Sequence, residues 1–539
     1  MKRIICMIGW MFCGVVMLWA QTVERLHIQT DKNFYLAGEK MYVNVYGTDE
    51  KKNLLDFSKV AYVELLGDAF NGVRAKIALE KGRGHAVIEL PFMLSSGVYE
   101  LVGYTRWMRN EGEKVYFRKP IAVFNSLRYS ETMDCLELLD AEGKFQQDEP
   151  STGCVSIRTD KASYGPREKV TLLLDVLPEG ADVSVSVVRE DQNMPLVDWQ
   201  TYQERVPTIG QEVTSTVLPE LEGMLVESRY VPLIEHATAV RPNLSLKGKE
   251  LHYYAGQVKA DGRVVFYTPL LEGMKEMVAG VESGGRLEMI SPFVAIPPKK
   301  MQPLHLYKEQ ELSLLERCMQ VQADKFYPGD SIPRKEVVTL FKGKPFWSYD
   351  LDEYRRFKTF EESFLEFMPG LTAITRGDRR YIMISEEITG VPNHGNTLVF
   401  LDGVAVMDHE QILRYNPYFV KWVDVYVGQY VFGDQLYGGI VSMRTPNGWM
   451  PNFLLPENSV VVEYEGVLSQ EAYKHPDWKN LSYPDIRHTL YWNPSVTKKG
   501  QQLECWTSDM CGTYIVKVEG LAKNGTSVSG STTFEVKRP

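Results

Sequence analysis

Three adjacent titratable residues, Asp408-His409-Glu410, form the densest polar cluster of the 539-residue chain. Such a set could hold a metal or pass a proton, but neighbours on a helix point about 100° apart, so the three do not converge on one ion without help from elsewhere. Asp408 as the N-cap of a short helix accounts for the cluster better. A second candidate is Pro484-Asp485-Ile486-Arg487-His488-Thr489-Leu490-Tyr491-Trp492, with Arg487 and His488 beside aromatics. Strand alternation puts His488, Leu490 and Trp492 on one face, which is more often packing than catalysis, though a binding role stays open. The nine histidines form no His-Glu-x-x-His pair, and neither a Gly-x-Ser-x-Gly elbow nor a phosphate loop ending in Gly-Lys-Ser/Thr occurs. Past residue 20 the cysteines are Cys135, Cys154, Cys318, Cys505 and Cys511, with no Cys-x-x-Cys pair. Cys505 and Cys511 flank the turn Thr507-Ser508-Asp509, a spacing that permits one hairpin bridge in an oxidising compartment. No catalytic residue, metal or cofactor is expected.

The elements available to position such residues are mostly strands. Thr30-Asp31-Lys32-Asn33-Phe34-Tyr35-Leu36-Ala37-Gly38-Glu39-Lys40 returns 129 residues later as Thr159-Asp160-Lys161-Ala162-Ser163-Tyr164-Gly165-Pro166-Arg167-Glu168-Lys169, with six of eleven positions identical. That spacing suits a duplicated domain and is too long for a solenoid unit. Each copy places turn residues between two alternating apolar stretches, reading as strand, turn, strand. The repeated Asp-Lys pair reads first as a solvated charge couple at a β edge.

Lys2 and Arg3 precede an uncharged run from Ile4 to Trp19 and then Ala20, the layout of an export signal over 1–20. Its removal takes the net charge from −10 to −12, and with no basic block a nucleic-acid partner is not expected. No later stretch approaches eighteen consecutive apolar residues, so no membrane-spanning helix is expected after signal cleavage.

Short strands and turn signals over 22–125 predict a seven-strand sandwich. Residues 126–150 read as a linker, 151–217 as the second β copy, and 218–300 as a third β unit, either free or inserted in the second. A helix is predicted within 305–328, where Leu312, Leu315, Met319 and Gln322 share a face flanked by Leu314 and Cys318. Over 340–450 the order α, β, β, α, β, β predicts a small α+β domain whose first helix opens on the capping box Thr359-Phe360-Glu361-Glu362. Alternation resumes over 455–539 and predicts a separate C-terminal sandwich.

Asp31-Lys32, Tyr35, Gly38-Glu39, Ser96-Gly97-Val98-Tyr99 and Tyr104-Thr105-Arg106-Trp107, repeated in part as Asp160-Lys161 and Tyr164, resemble the second macroglobulin-type domain of bacterial alpha-macroglobulin relatives, especially the version in exported proteins of the Bacteroidetes. Met368-Pro369-Gly370-Leu371, Leu401-Asp402-Gly403-Val404, Val423 to Gly428 and Tyr437-Gly438-Gly439-Ile440-Val441 resemble the plug domain of TonB-dependent outer-membrane receptors. The thioester segment Cys-Gly-Glu-Gln of covalent macroglobulin traps is missing, and the 89 residues after Met450 are too few for a receptor barrel. The resemblance implies a mainly β multidomain protein, with several immunoglobulin- or macroglobulin-like sandwiches and one small plug-like α+β domain.

The expected function is a non-enzymatic scaffold that binds protein partners in the envelope, at the periplasm, the outer membrane or the cell surface. Two rivals stand beside it. One is an endopeptidase-binding or inhibitory protein without a thioester, whose bait loop would be Asp191–Val217. The other is a component of TonB-dependent nutrient uptake.

Overall fold

The computed structural model describes residues 23–67, 72–127, 136–139, 154–190, 217–234, 240–282, 284–296, 304–307, 310–326, 343–391, 395–471, 473 and 484–538. The expected signal (1–20) and nearly all of the expected bait loop lie outside them. The chain forms two compact units, one of residues 1–222, 295–333 and 467–539, the other of 223–294 and 334–466.

The first sandwich uses β1 (Arg25–Thr30), β2 (Phe34–Leu36), β3 (Lys40–Thr48), β4 (Val60–Leu66), β5 (Val73–Ala78), β6 (Arg83–Glu89), β7 (Gly97–Tyr104) and β8 (Phe117–Phe124). They form a three-stranded sheet, β1-β3-β6, and a five-stranded sheet, β2-β8-β7-β4-β5. All pairs are antiparallel except β2 with β8. Alternation buries Met41, Val43 and Val45 from one sheet and Tyr62, Leu101 and Ile121 from the other.

After β9 (Leu136–Leu139) come β10 (Ser156–Thr159), β11 (Ser163–Tyr164), β12 (Lys169–Val176) and β13 (Asp182–Arg189). The other compact unit then contributes β14 (Met224–Pro232), β15 (Pro242–Leu246), β16 (Tyr253–Ala255), β17 (Arg263–Thr268), β18 (Met274–Val281) and β19 (Gly285–Met289). Next are β20 (Leu304–Tyr307), which pairs in parallel with β9, and helix α1 (Glu311–Phe326). The span expected as a linker over 126–150 therefore contains a paired strand.

The α+β module follows with β21 (Trp347–Asp350), α2 (Phe360–Phe367), β22 (Leu371–Arg376), β23 (Arg379–Ile384), α3 (Glu386–Thr389), β24 (Asn396–Leu401), β25 (Val404–Val406), α4 (His409–Arg414), β26 (Trp422–Tyr426), β27 (Tyr430–Phe432) and β28 (Gln435–Arg444). Its main sheet runs β21-β26-β28-β24-β25. Phe360, Phe364, Ile382, Val399, Ile412, Val425 and Val441 share its core. The chain ends with β29 (Val460–Glu465), β30 (Thr489–Val496), β31 (Gln502–Trp506), β32 (Gly512–Leu521) and β33 (Ser527–Val536).

The division expected between 151–217 and 455–539 gives way to one sandwich built from both ends of that span. Its sheets are β10-β12-β31 and β11-β33-β32-β13-β30, with Val170, Leu172, Val185, Leu503, Val516 and Phe534 in one core. Replacing β1–β4 by β10–β13 and β5–β8 by β30–β33 reproduces the first sandwich strand for strand. Residues 67–72 link β4 to β5, whereas residues 190–488 link β13 to β30.

The third sandwich is interrupted too. Its sheets are β17-β14-β19 and β16-β15-β18-β29, so its last strand arrives after the α+β module. This is again the first strand order: β14 to β18 stand for β3 to β7, β29 for β8, and β19 takes the place of β1.

Candidate functional site

The repeated motif is a backbone tie within each sandwich. In the first copy the Tyr35 hydroxyl donates to Asp31 Oδ1 at 2.6 Å and accepts from the Lys32 N–H at 3.1 Å, while Asp31 Oδ1 accepts from the Tyr42 N–H at 3.1 Å. In the second, Tyr164 donates to Asp160 at 2.7 Å and accepts from the Lys161 N–H at 2.9 Å, and Asp160 accepts from the Thr171 N–H at 2.7 Å. Asp31, Lys32, Tyr35, Asp160, Lys161 and Tyr164 thus fasten the crossing from one sheet to the other.

The surroundings differ. In the first copy α1 lies against β2, where Phe34, Leu36 and Ala122 pack with Leu314, Cys318 and Val321. Arg317, 1% exposed, donates to Glu39 at 3.0 and 2.9 Å and to the Phe34 carbonyl at 3.0 Å. Lys32 Nζ is 2.9 Å from the same carboxylate. Burial alone would raise the Glu39 carboxyl, but Arg317, Lys32 and His488 outweigh it and hold it at about 2. In the second copy Ser163, Gly165 and Glu535 stand at the matching positions, and the Lys161–Glu168 pair stays in solvent. The helix face expected from Leu312, Leu315 and Met319 is the exposed one, at 69%, 56% and 53%. The flank packs instead, seating Leu314, Cys318 and Val321 on β2 and bringing Arg317 beside Glu39.

In the α+β module Asp402 and Gly403 form the tip of the β24–β25 hairpin with φ of +48° and +84°. The buried Asp402 carboxylate accepts from the Thr445 N–H and hydroxyl, each at 2.7 Å, and from the Met450 N–H at 3.1 Å, joining the hairpin to the chain after β28. A Cβ on Gly403 would lie 2.5 Å from the Leu246 carbonyl oxygen. Tyr437 donates to Gln435 at 2.6 Å and lies 2.9 Å from the Tyr253 hydroxyl of the third sandwich. Gly438 and Gly439 continue β28, where a Cβ on Gly439 would strike Ile384 at 2.2 Å.

The polar candidates also serve structure. Asp408 caps α4 by accepting from the Glu410 N–H at 3.1 Å, as its position predicts. His409 Nδ1 accepts from the Ile382 N–H at 3.0 Å, and burial lowers the imidazole to about 4. The ring is neutral, with its proton on Nε2. Among the described residues, no three His, Cys, Asp or Glu side chains are grouped to hold a metal. Arg487 makes paired bonds to Asp485 at 2.8 and 2.7 Å and another to the Tyr473 hydroxyl at 3.0 Å. His488, Leu490 and Trp492 are each buried, but so is Tyr491 between them, which shares the second sandwich's core with Leu490, so the strand has no single packed face there.

The bridge permitted between Cys505 and Cys511 is not formed; both are free thiols. Cys505 faces the second sandwich's core, where burial raises its thiol to about 12, while Cys511 lies on the turn before β32.

Between the third sandwich and the α+β module, within their shared unit, lies a cleft of about 690 Å³. Asn243, Glu282, Arg379, His409, Gln411 and Arg414 help line it. Arg414 is paired with Glu410 at 2.9 Å, so the wall carries both charge signs. The Asp408-His409-Glu410 cluster singled out in the sequence lies on one wall of this cleft, while the facing wall, with Asn243 and Glu282, comes from a distant segment that no local pattern connects to it.

No family model matches the chain, and no curated protein does. Among solved structures it is similar to Salmonella alpha-2-macroglobulin reacted with methylamine, at 8% identity over 96% of this chain and 40% of that one, with a TM-score of 0.23. Escherichia coli alpha-2-macroglobulin activated by porcine elastase matches at 9% identity over 96% of this chain and 44% of that one, with a TM-score of 0.24. The Escherichia coli adhesin FdeC matches at 10% identity over 49% of this chain and 64% of that one, with a TM-score of 0.15. The chain spans about two-fifths of the length of the macroglobulins it matches. Scores this low establish no common arrangement, and the β-sandwich architecture stands on its strand pairing.

Proposed function

We propose that the chain is an exported, non-enzymatic scaffold of the bacterial envelope that binds protein partners through its third sandwich and α+β module. The observation that carries this reading is the site of insertion. Residues 190–488 enter between β13 and β30, two paired neighbouring strands, where the first sandwich has only residues 67–72 between the matching strands. A hairpin tip tolerates added chain at small entropic cost and leaves the host core intact, so it suits the display of further modules. The motifs that resembled macroglobulin and plug domains act here as ties and turns, which supports a part in shape over one in reaction.

The test places a photoreactive residue at Trp449 or Leu454, exposed by 78% and 83%, in the full chain made in its native cells. Reproducible adducts with one or a few envelope proteins are expected. Turnover of a peptide, ester or glycoside by the purified chain, abolished by one substitution of a titratable residue, would overturn the reading.

A further inference from the structure

Three sandwiches share one strand order, and two of them have every position filled. In the first, β2 lies along the outer edge of β8, parallel to it, through Phe34↔Ala122, Tyr35↔Val123 and Leu36↔Phe124. In the second, β11 lies along β33 in the same sense through Ser163↔Glu535 and Tyr164↔Val536. Both fillers bury a tyrosine, Tyr35 at 0% and Tyr164 at 2% exposure, and each has a lysine three residues before it.

The third sandwich has β29 in the place of β8 and β33, and among the described residues no strand covers its outer edge. Its apolar surface is partly open: Val461 of β29 is 49% exposed and Val460 and Val462 are only half-buried. Val460-Val461-Val462 is an apolar, β-branched run with no proline, lysine or bulge to blunt it, which is how an edge that accepts another strand looks.

We propose that the outer edge of β29 accepts an extended segment of a partner protein, running parallel to β29, with a tyrosine on its inward side and a basic residue three positions before it. The two complete copies within the chain prescribe this occupant. Strand addition supplies affinity through main-chain hydrogen bonds and specificity through the alternate side chain. Exposed Glu463 lies on the same edge and favours the basic residue. A second copy of β29 cannot meet the requirement, because two identical edges related by a two-fold axis pair antiparallel. The proposal rests on the scaffold reading and names the kind of partner it would hold.

The test uses the full chain and a synthetic peptide of the sequence Thr30–Lys40 as the probe. Hydrogen exchange of the outward-facing amides of Val460–Glu465 is expected to slow about fivefold with saturating peptide, and a peptide carrying Tyr35→Ala should bind about tenfold more weakly. Val461→Lys in the chain should weaken binding by a similar factor without lowering its melting temperature. Absence of protection by the peptide would overturn the proposal. So would edge amides already protected in the free monomer, which would mean the chain covers its own edge, or protection that grows with chain concentration, which would mean a second copy does. If the peptide fails while adducts at Trp449 persist, the edge proposal falls and the scaffold reading stands; if the peptide binds and the adducts vanish, the edge proposal stands and only the α+β module's share of partner binding falls.

Discussion

Replacing Arg317 by methionine should loosen α1 from the first sandwich. The side chain makes three hydrogen bonds from a site 1% exposed, two of them to Glu39, and its guanidinium lies 5.0 Å from the centre of the Phe34 ring. Glu39 is held at about 2 against an ordinary 4.5, a difference worth roughly 3 kcal/mol. Removing one member of a buried pair costs roughly 3–5 kcal/mol because the other stays behind as an unpaired charge. Lys32 remains beside Glu39, so the lower end, about 3 kcal/mol, is expected. Hydrogen exchange over Glu311–Phe326 and Phe34–Leu36 reads this as local opening, separately from the other modules. The double variant Arg317→Met with Glu39→Gln should recover about half of the loss, since the carboxylate is no longer stranded while Lys32 keeps only Asp31, 4.0 Å away. Because Glu39 titrates lower folded than unfolded, its contribution is present above about 4.5 and drains away as pH falls towards 2. The gap between wild type and Arg317→Met should therefore narrow below about pH 4.5. A gap constant down to about pH 3, or a double variant as unstable as the single one, would refute the reasoning.

Three further outcomes follow from the geometry. Tyr35→Phe should cost about 2–3 kcal/mol and Tyr164→Phe about 1 kcal/mol in urea titrations, because the first leaves a buried carboxylate short of a donor and the second an exposed one. Asp402→Ala removes the acceptor of three hydrogen bonds and should cost about 3 kcal/mol, read as faster exchange from Thr445 to Met450, while Asp402→Asn keeps part of them and costs less. His27 and His409 are each lowered by burial to about 4, so the unfolded chain takes up their protons first. Their stabilisation is full above about 6.5 and falls as pH drops towards 4; melting curves should show this loss, reduced in His409→Asn, where an amide oxygen can still accept from Ile382.

Period-two alternation between turn residues made most strands legible, and β15, β17, β26 and β31 lie where their residues point. Thr359 as the N-cap of α2, the Asp402-Gly403 hairpin and the Asp408 cap were legible because each is decided within a few residues. What stayed hidden was which strand pairs with which. β13 could have closed its sheet with the next strand in sequence; instead its neighbour begins at Thr489, and local periodicity carries no information about a partner so distant. The packed side of α1 was hidden for a related reason. The helix has apolar residues on two sides, and the choice falls to Glu39, which lies 278 residues away and needs Arg317. The cleft beside His409 was half legible: the Asp408-His409-Glu410 cluster marked one wall, but the facing wall of Asn243 and Glu282 is a product of tertiary packing.

Comparison of the two complete sandwiches separates what the motif does from what was built on it. The Asp-Lys-Tyr geometry is nearly the same whether the site is buried, as around Asp31, or open to solvent, as around Asp160, so the tie holds its own domain and needs no ligand. What differs is the outer surface of the edge strand. Phe34 and Leu36 with Ala122 give α1 an apolar seat, after which Glu39 must be neutralised and Arg317 supplies the charge; Ser163 and Gly165 with Glu535 give no such seat, and Glu168 remains hydrated with Lys161. In the third sandwich no strand among the described residues lies along the outer edge of β29. One position of one strand order is thus used in three ways: covered by a helix, left polar, and left open. The open one carries the apolar run Val460-Val461-Val462 with no described strand beside it, so a partner strand there would bury apolar surface that is already ordered.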